Sequence, residues 1–233
     1  PESGLLYPED FLEVAIESRL ITPLGRWVLT QACRQMQWWK EQWEEAAAWE
    51  ISVNLSAPEL AQPDVVAAIF AIIDESGLEP KYLKLEITES SLVMNSNHVL
   101  QTMNALRGRD IRLSIDDFGT GYSSFNYLHQ FPFDELKIDR TFFSELDNRS
   151  DKRQIVNAIV SLAHNLGMTV VAEGSASTAI YENLREASCE YAQGFAIMEP
   201  KRAKDISRSI AVDVDRTDIT GYNLDASGKL GFA

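Results

Sequence analysis

Cysteine and histidine are scarce in this chain of 233 residues, which has two cysteines and three histidines. Cys33 and Cys189 stand in apolar surroundings, and neither they nor the histidines show the spacing of a zinc site. We therefore expect neither structural zinc nor a disulfide framework. Reduced cysteines are typical of intracellular proteins, so the sequence predicts a cytoplasmic domain, whether alone or within a larger membrane-associated or multidomain protein.

Positive charge is also scarce, with 21 Lys and Arg residues against 35 Asp and Glu residues and a formal net charge of −14. This balance disfavours binding of a DNA or RNA polymer through a long-range positive field, and no basic cluster supplies such a field locally. A phosphate ligand would therefore need metal ions or a few placed cations. No signal peptide and no apolar run of membrane-spanning length is present.

The overall composition, 45% hydrophobic and 24% charged, is that of a globular protein large enough for one α/β barrel domain. Predicted strands alternate with predicted helices, which favours right-handed βαβ units and a parallel sheet. The predicted strands are residues 50–56, 82–89, 111–115, 135–139, 168–174 and 190–195. The predicted fold class is therefore α/β, a (β/α) barrel.

Six strands are fewer than the eight of a closed barrel. Either the barrel is open or its first strands lie upstream of Pro1. The opening residues, Pro1-Glu2-Ser3-Gly4, look like the middle of a loop, so we expect that the first strand or strands are missing from this chain.

Two adjacent carboxylates, Asp116 and Asp117, follow the alternating run 111–115 and precede a glycine-bearing turn. Neighbouring side chains of a strand point to opposite faces, so these two can share a site only where the chain leaves the pleat. Two acids so close repel each other unless a cation intervenes, and a hard metal ion is the natural one. The alternative interpretation is a helix cap with a solvated turn.

Polar side chains recur at or near the C-terminal ends of the other predicted strands. In a barrel those ends converge on one mouth, where barrel enzymes carry their chemistry. One carboxylate in such a place is usually a turn residue, but recurrence over six units is hard to explain that way. Oxygen ligands in this number suit Mg²⁺, Mn²⁺ or Ca²⁺. The residues are Asn54, Glu86, Asp116, Asp117, Lys137, Glu173 and Gln193.

These residues belong to six ordered motifs: Val53-Asn54-Leu55-Ser56, Glu86-Ile87-Thr88-Glu89-Ser90, Asp116-Asp117-Phe118-Gly119-Thr120-Gly121, Leu136-Lys137-Ile138-Asp139-Arg140, Ala172-Glu173-Gly174 and Gln193-Gly194-Phe195. The set resembles the EAL-domain family of cyclic-di-GMP phosphodiesterases over roughly residues 1–206. The resemblance implies a TIM-like barrel whose first strand runs antiparallel. It also implies cleavage of cyclic di-GMP to linear pGpG in bacterial second-messenger signalling, with two Mg²⁺ or Mn²⁺ ions.

Carried over position by position, the resemblance implies a role for each motif residue. Lys137 matches the lysine that holds the nucleophilic water, and Glu89 matches the acid that holds the loop after the double aspartate. Gln193 matches a residue at the active-site mouth, where it would contact the substrate. The implied metal ligands are Asn54, Glu86, Asp116, Asp117 and Glu173.

The sequence departs from the family pattern in three places. The Glu-Ala-Leu triplet that names the family occurs nowhere in the chain, so one metal ligand is expected upstream of Pro1. Ala176 stands where the family has an acid that orients ligands, and Glu199 stands where it tends to have a basic residue. The alternative function is therefore a catalytically weak or inactive domain that acts as a cyclic-di-GMP receptor or regulatory module.

The segment after the double aspartate commonly forms a subunit interface in this family, and here it carries Phe125, Tyr127 and Leu128. We expect a homodimer through these side chains, the alternative being that they pack the barrel rim. The EAL-like domain is predicted over 1–207, with 208–233 as a C-terminal extension. Sensor or GGDEF domains are expected upstream in the full-length protein.

Overall fold

The computed structural model describes residues 6–93, 96–119, 125–142, 150–174, 187–195 and 197–207. The chain divides into two compact units, of which the first holds residues 1–116 and 121–134 and the second holds 117–120 and 135–233. The predicted C-terminal extension lies outside the described residues, and so do residues 175–184, for which the sequence predicts a helix that follows the strand 168–174 and runs through Leu184.

The first unit is built on three parallel strands that lie side by side in chain order. These are β1 (Ile51–Asn54), β2 (Leu83–Thr88) and β3 (Arg112–Phe118), whose last two residues belong to the second unit. Its described helices are α1 (Pro8–Glu17), α2 (Ile21–Gln42), α3 (Ala57–Leu60), α4 (Val65–Ser76), α5 (Ser96–Arg107) and α6 (Phe125–Gln130). Short 3₁₀ helices span Glu44–Ala48, Pro80–Tyr82 and Glu89–Val93.

The core of the first unit centres on β2. Leu83, Leu85 and Ile87 are completely buried, and Lys84 and Glu86 between them are also buried. Burial on both faces is typical of parallel strands that helices cover. Each fully buried leucine or isoleucine contributes roughly 1.5–3 kcal/mol to stability, so this strand anchors the unit.

A charge network holds the strand starts of the first unit. The Lys84 ammonium lies 3.4 Å from Glu50, and the Arg112 guanidinium lies 2.5 Å from the other carboxylate oxygen of Glu50. A buried lysine needs such a partner, because an isolated buried charge is costly. The network therefore serves stability at the end of the strands opposite to the predicted site.

The second unit repeats this arrangement with β4 (Glu135–Ile138), β5 (Thr169–Glu173) and β6 (Tyr191–Gln193), which are parallel and in chain order. Helix α7 (Ser150–Asn165) packs on β5, a 3₁₀ turn spans Arg140–Phe142, and residues 203–207 form a short helix. All six predicted strands are present, and the α/β class with parallel strands is confirmed.

The observed helices differ from the predicted ones in two respects. The sequence predicts one helix that starts at Thr22-Pro23 and runs to about Ala47, but α2 ends at Gln42 and a 3₁₀ helix follows. The short helix α3 was not predicted, because four residues are too few to show helical periodicity. Its signal is a capping box, in which Ser56 and Glu59 satisfy each other's backbone N–H groups, with a proline in the first turn.

The two cysteines are free thiols, as predicted. Burial raises the pKa of Cys33 to about 11, and burial together with the neighbouring Glu190 raises the pKa of Cys189 to about 12. Both thiols therefore stay protonated near neutral pH, which makes them poor metal ligands. In the part of the chain that is described, no helix combines the length and apolar character that a membrane span requires.

Glu59 is a buried acid that ties α3 to α2. Its carboxylate accepts hydrogen bonds from the backbone N–H and the hydroxyl of Ser56. Burial raises the pKa of Glu59, while the hydrogen bonds from Ser56 and the charge of Arg26 oppose that shift. The carboxylate lies against Gly25 of α2 so closely that a Cβ atom there would overlap Oε1. Glycine at position 25 thus makes room for the cap.

We predict that Gly25→Ala and Glu59→Ala are energetically coupled. Alanine at position 25 would displace the carboxylate from Ser56, which should lower the free energy of unfolding by about 1–2 kcal/mol in urea titrations. In a Glu59→Ala background, Gly25→Ala only replaces a helical glycine by alanine. It should then raise the free energy of unfolding by about 1 kcal/mol. Equal destabilisation in both backgrounds would contradict the coupling.

Candidate active site

Polar residues of the first unit share one face of the sheet. Asn54, the last residue of β1, lies opposite Glu86 in β2, and Glu86 lies opposite Ser114 in β3. Residues in register point to the same face, as do residues two apart on one strand. Asp116 is two residues after Ser114 and opposite Thr88. The strand register therefore places the predicted ligands Asn54, Glu86 and Asp116 on one side of the sheet.

Ser114 belongs to this polar face but was not predicted from the sequence. It is completely buried between the apolar residues Leu113 and Ile115. The available signal was a small polar side chain at an inward position of an alternating strand, where an apolar residue is usual. Glu86 is buried as well, with 8% of its surface exposed. Buried polar groups in neighbouring strands indicate a site rather than a solvated turn.

The double aspartate lies inside β3 and not after it, which corrects the predicted end of the strand. Asp117 has φ 54°, in the left-handed region, while the strand continues to Phe118. Left-handed φ is uncommon for residues other than glycine, although aspartate tolerates it better than most. One such residue breaks the alternation of side chains along a strand. The chain thus leaves the regular pleat at Asp117, within the strand.

Lys137 and Glu173 form an ion pair in the second unit, with 2.5 Å between Nζ and Oε1. Lys137 of β4 lies opposite Val171 of β5, and Glu173 is two residues after Val171. Lys137 and Glu173 therefore face the same side of the sheet. Only 3% of the Lys137 surface is exposed. The carboxylate supplies the charge partner that a buried ammonium requires.

Asp117 approaches the same carboxylate. Asp117 and Glu173 belong to a carboxylate group able to hold a metal ion, and their ligand oxygens lie within 4.8 Å of each other. Oxygen ligands bind Mg²⁺ or Ca²⁺ at about 2.0–2.6 Å, so one ion fits between two oxygens at this separation. Asp116 directly precedes Asp117 in the chain. The donor set therefore fits a hard divalent cation.

The other predicted site residues lie at strand ends or beyond them. Gln193 ends β6 and lies opposite Glu173, and the backbone N–H of Gly174 donates to the Gln193 carbonyl at 2.7 Å. Glu89 is buried directly after β2. It was predicted to hold the loop after the double aspartate, and residues 120–124 of that segment lie outside the described residues.

The predicted dimer residues lie in α6. The side chains of Phe125 and Tyr127 lie outside the described part of the chain. Leu128 is only 3% exposed, which leaves little of its surface for a partner.

Comparison with known proteins identifies relatives in several bacteria. The chain is 41% identical over 211 residues to the bifunctional diguanylate cyclase/cyclic di-GMP phosphodiesterase MucR of Pseudomonas aeruginosa, covering 91% of this chain and 30% of that protein. It is 34% identical over 203 residues to the cyclic di-GMP phosphodiesterase PdeR of Escherichia coli, covering 87% of this chain and 30% of that protein. The chain thus spans about a third of the length of these relatives.

A solved structure supports the same relationship. The MucR phosphodiesterase in complex with c-di-GMP is 41% identical, superposes with a TM-score of 0.82, and the match covers 88% of this chain and 83% of that one. This similarity confirms the TIM-like (β/α) fold class. The EAL domain family model matches residues 1–200. The chain therefore belongs to the EAL domain family.

Proposed function

We propose that this chain hydrolyses cyclic di-GMP to linear pGpG in bacterial second-messenger signalling. The observation that carries the proposal is the approach of Asp117 to Glu173 while Glu173 is ion-paired with the buried Lys137. The names of MucR and PdeR, and the c-di-GMP complex of MucR, support the same reaction for close relatives. The proposed domain spans 1–207, and accompanying sensor or GGDEF domains stay a prediction.

The proposed metal ligands occupy the polar ends of the strands. Two Mg²⁺ or Mn²⁺ ions, when bound, would neutralise the phosphodiester and supply a nucleophilic water at neutral pH. The register of β1, β2 and β3 supports the ligands of the first unit, and the separation of the two carboxylates supports those of the second. The ligands are Asn54, Glu86, Asp116, Asp117 and Glu173.

Lys137 is proposed to orient the attacking water by donating a hydrogen bond from its ammonium to the water oxygen, and the proton that the water loses passes through solvent to the leaving 3′ oxygen. Water forms a bond to phosphorus, the bond from phosphorus to one 3′ oxygen breaks, and that oxygen leaves as a 3′ hydroxyl after taking up a proton. Glu173 fixes the direction of the Lys137 ammonium through their ion pair. Gln193, which lies opposite Glu173 in the strand register, is proposed to hydrogen-bond the nucleotide. Glu89 is proposed to support the loop after the double aspartate.

We expect the purified protein to convert cyclic di-GMP to pGpG with Mn²⁺ or Mg²⁺ present, and chromatography of the products measures this. EDTA should abolish the reaction, because it removes the divalent cations that would supply the nucleophilic water. Binding of cyclic di-GMP without turnover would instead favour the receptor function that Ala176 suggests. Neither binding nor turnover would contradict both functions.

We predict that Asp117→Asn lowers Mn²⁺ affinity by about tenfold or more and removes hydrolysis, because a neutral amide replaces an anionic ligand. Isothermal titration with Mn²⁺ measures the first effect. Asparagine accepts left-handed φ, so the backbone should be retained. Without metal, thermal stability should hold or rise, because one of the repelling charges is gone.

Asp110→Asn is the matched control for this variant. Asp110 precedes β3 and is also left-handed, with φ 62°. Asp110→Asn changes charge and backbone preference in the same way as Asp117→Asn, but it does so before the start of β3 and not among the proposed ligands. We expect wild-type Mn²⁺ affinity for Asp110→Asn, and equal losses in both variants would argue against Asp117 as a ligand.

We further propose a homodimer through α6, supported by the two aromatic residues that follow the double aspartate in the sequence. Replacing Phe125 and Tyr127 by serine should shift sedimentation toward monomer and lower metal-dependent activity together, since the same segment follows Asp117. His129→Ala, an exposed position on the same helix, serves as the control. An unchanged monomer–dimer balance in the double variant would refute this interface.

A further inference from the structure

A left-handed glycine directly follows β3, which carries Asp117, and another directly follows β5, which carries Glu173. Gly119 follows Asp117 by two residues and has φ 94°, and Gly174 follows Glu173 directly and has φ 68°. Side chains other than hydrogen are disfavoured at such angles. Backbone conformation is one reason for glycine at these positions, but the packing around them supplies another.

One 3₁₀ turn, Arg140–Phe142, packs against both glycines. A Cβ atom at Gly119 would overlap the ring of Phe142, and a Cβ atom at Gly174 would lie 2.5 Å from Cβ of Arg140. Cγ and Cδ of Arg140 would also lie within 3.4 Å of that atom. The phenyl ring and the arginine stem therefore occupy the space that the two glycines leave open.

The turn itself is held at its start by Asp139. The backbone N–H of Thr141 donates to the Asp139 carboxylate at 2.9 Å, and that of Phe142 donates to the Asp139 carbonyl at 3.1 Å. Burial acts to raise the pKa of Asp139, but hydrogen bonds from Thr141 and the backbone of Arg140 outweigh it and lower the pKa. The turn continues directly from β4, which carries Lys137. Its orientation is thus tied to that strand.

We propose that the turn Arg140–Phe142 sets the separation of the Asp117 and Glu173 carboxylates, by packing Phe142 on Gly119 and Arg140 on Gly174. Phe142 and Arg140 are positioning residues, since neither offers a metal ligand. The inference rests on the proposed function in so far as it takes these carboxylates as ligands. A metal site must be held to within about 0.5 Å, so support for both carboxylates by one turn affects affinity directly.

The first test removes the ring from one side of the turn. Phe142→Ala should lower Mn²⁺ affinity about tenfold by isothermal titration, the usual effect of losing a group that supports a ligand. Phe142→Leu, which keeps an apolar side chain against Gly119, should restore most of that affinity. Phe133→Ala is the control, because Phe133 is buried before β4 and its loss should lower stability to urea without changing Mn²⁺ affinity. Equal Mn²⁺ affinity in Phe142→Ala and wild type would overturn the proposal.

The second test adds a methyl group on the other side. Gly174→Ala should displace the stem of Arg140 and lower Mn²⁺ affinity. Gly167→Ala is the matched control, since Gly167 has φ 77° but a Cβ there would meet nothing within 4 Å. Both variants carry similar backbone strain and should lose similar resistance to urea, while only Gly174→Ala loses metal. Equal affinity in the two variants would overturn the role of Arg140.

Metal titration separates this inference from the proposed reaction. Wild type that binds Mn²⁺ without hydrolysing cyclic di-GMP would defeat the proposed catalysis, and the affinity ratios would still decide the role of the turn. Wild type that binds no Mn²⁺ at millimolar concentration would overturn both. In the electron paramagnetic resonance spectrum of bound Mn²⁺, Phe142→Ala should change the zero-field splitting, whereas a purely structural role would leave it as in wild type.

Discussion

Repulsion between carboxylates that the strands bring together is the constraint on which the other features of the site depend. Two full charges 4.8 Å apart, the upper limit between Asp117 and Glu173, repel by roughly 3–4 kcal/mol at an effective dielectric constant of 20. The ammonium of Lys137 offsets part of this repulsion through its 2.5 Å pair with Glu173. A divalent cation bound between the carboxylates would offset more of it, and the oxygen donors determine which cations fit.

The local backbone departs from regular structure where these charges meet. Asp117 is left-handed within β3, and a left-handed glycine follows each of β3 and β5. For a residue other than glycine, such as Asp117, this conformation costs free energy and persists only where the surroundings hold it. Here the surroundings include the packed turn Arg140–Phe142, which joins the exits of two strands to a third. The strain and its support therefore belong to one arrangement of the second unit.

The sequence predicted the strands well, because they depend on local patterns. Alternation and the recurrence of polar strand ends identified all six strands and placed Glu86 and Glu173 correctly on them. It could not predict that Asp117 lies within β3 in a left-handed conformation, because tertiary packing decides that. Nor could it show that Phe142 packs on Gly119, since residues far apart in the chain leave no periodic signal. Ser114 was missed because a single small polar residue in a strand is an ambiguous signal.

In the strands of the first unit, the ion pairs lie at the starts and the candidate ligands lie toward the C-terminal ends. At their starts, Lys84 and Arg112 share Glu50, so positive charge exceeds negative charge and each buried group has a partner. Toward their ends, Glu86 and Asp116 share a face with the neutral residues Asn54 and Ser114. Acidic side chains that share one face attract cations and repel anions. Along each of these strands, ion pairs that stabilise the sheet therefore lie at one end, and oxygen donors able to bind a cation lie toward the other.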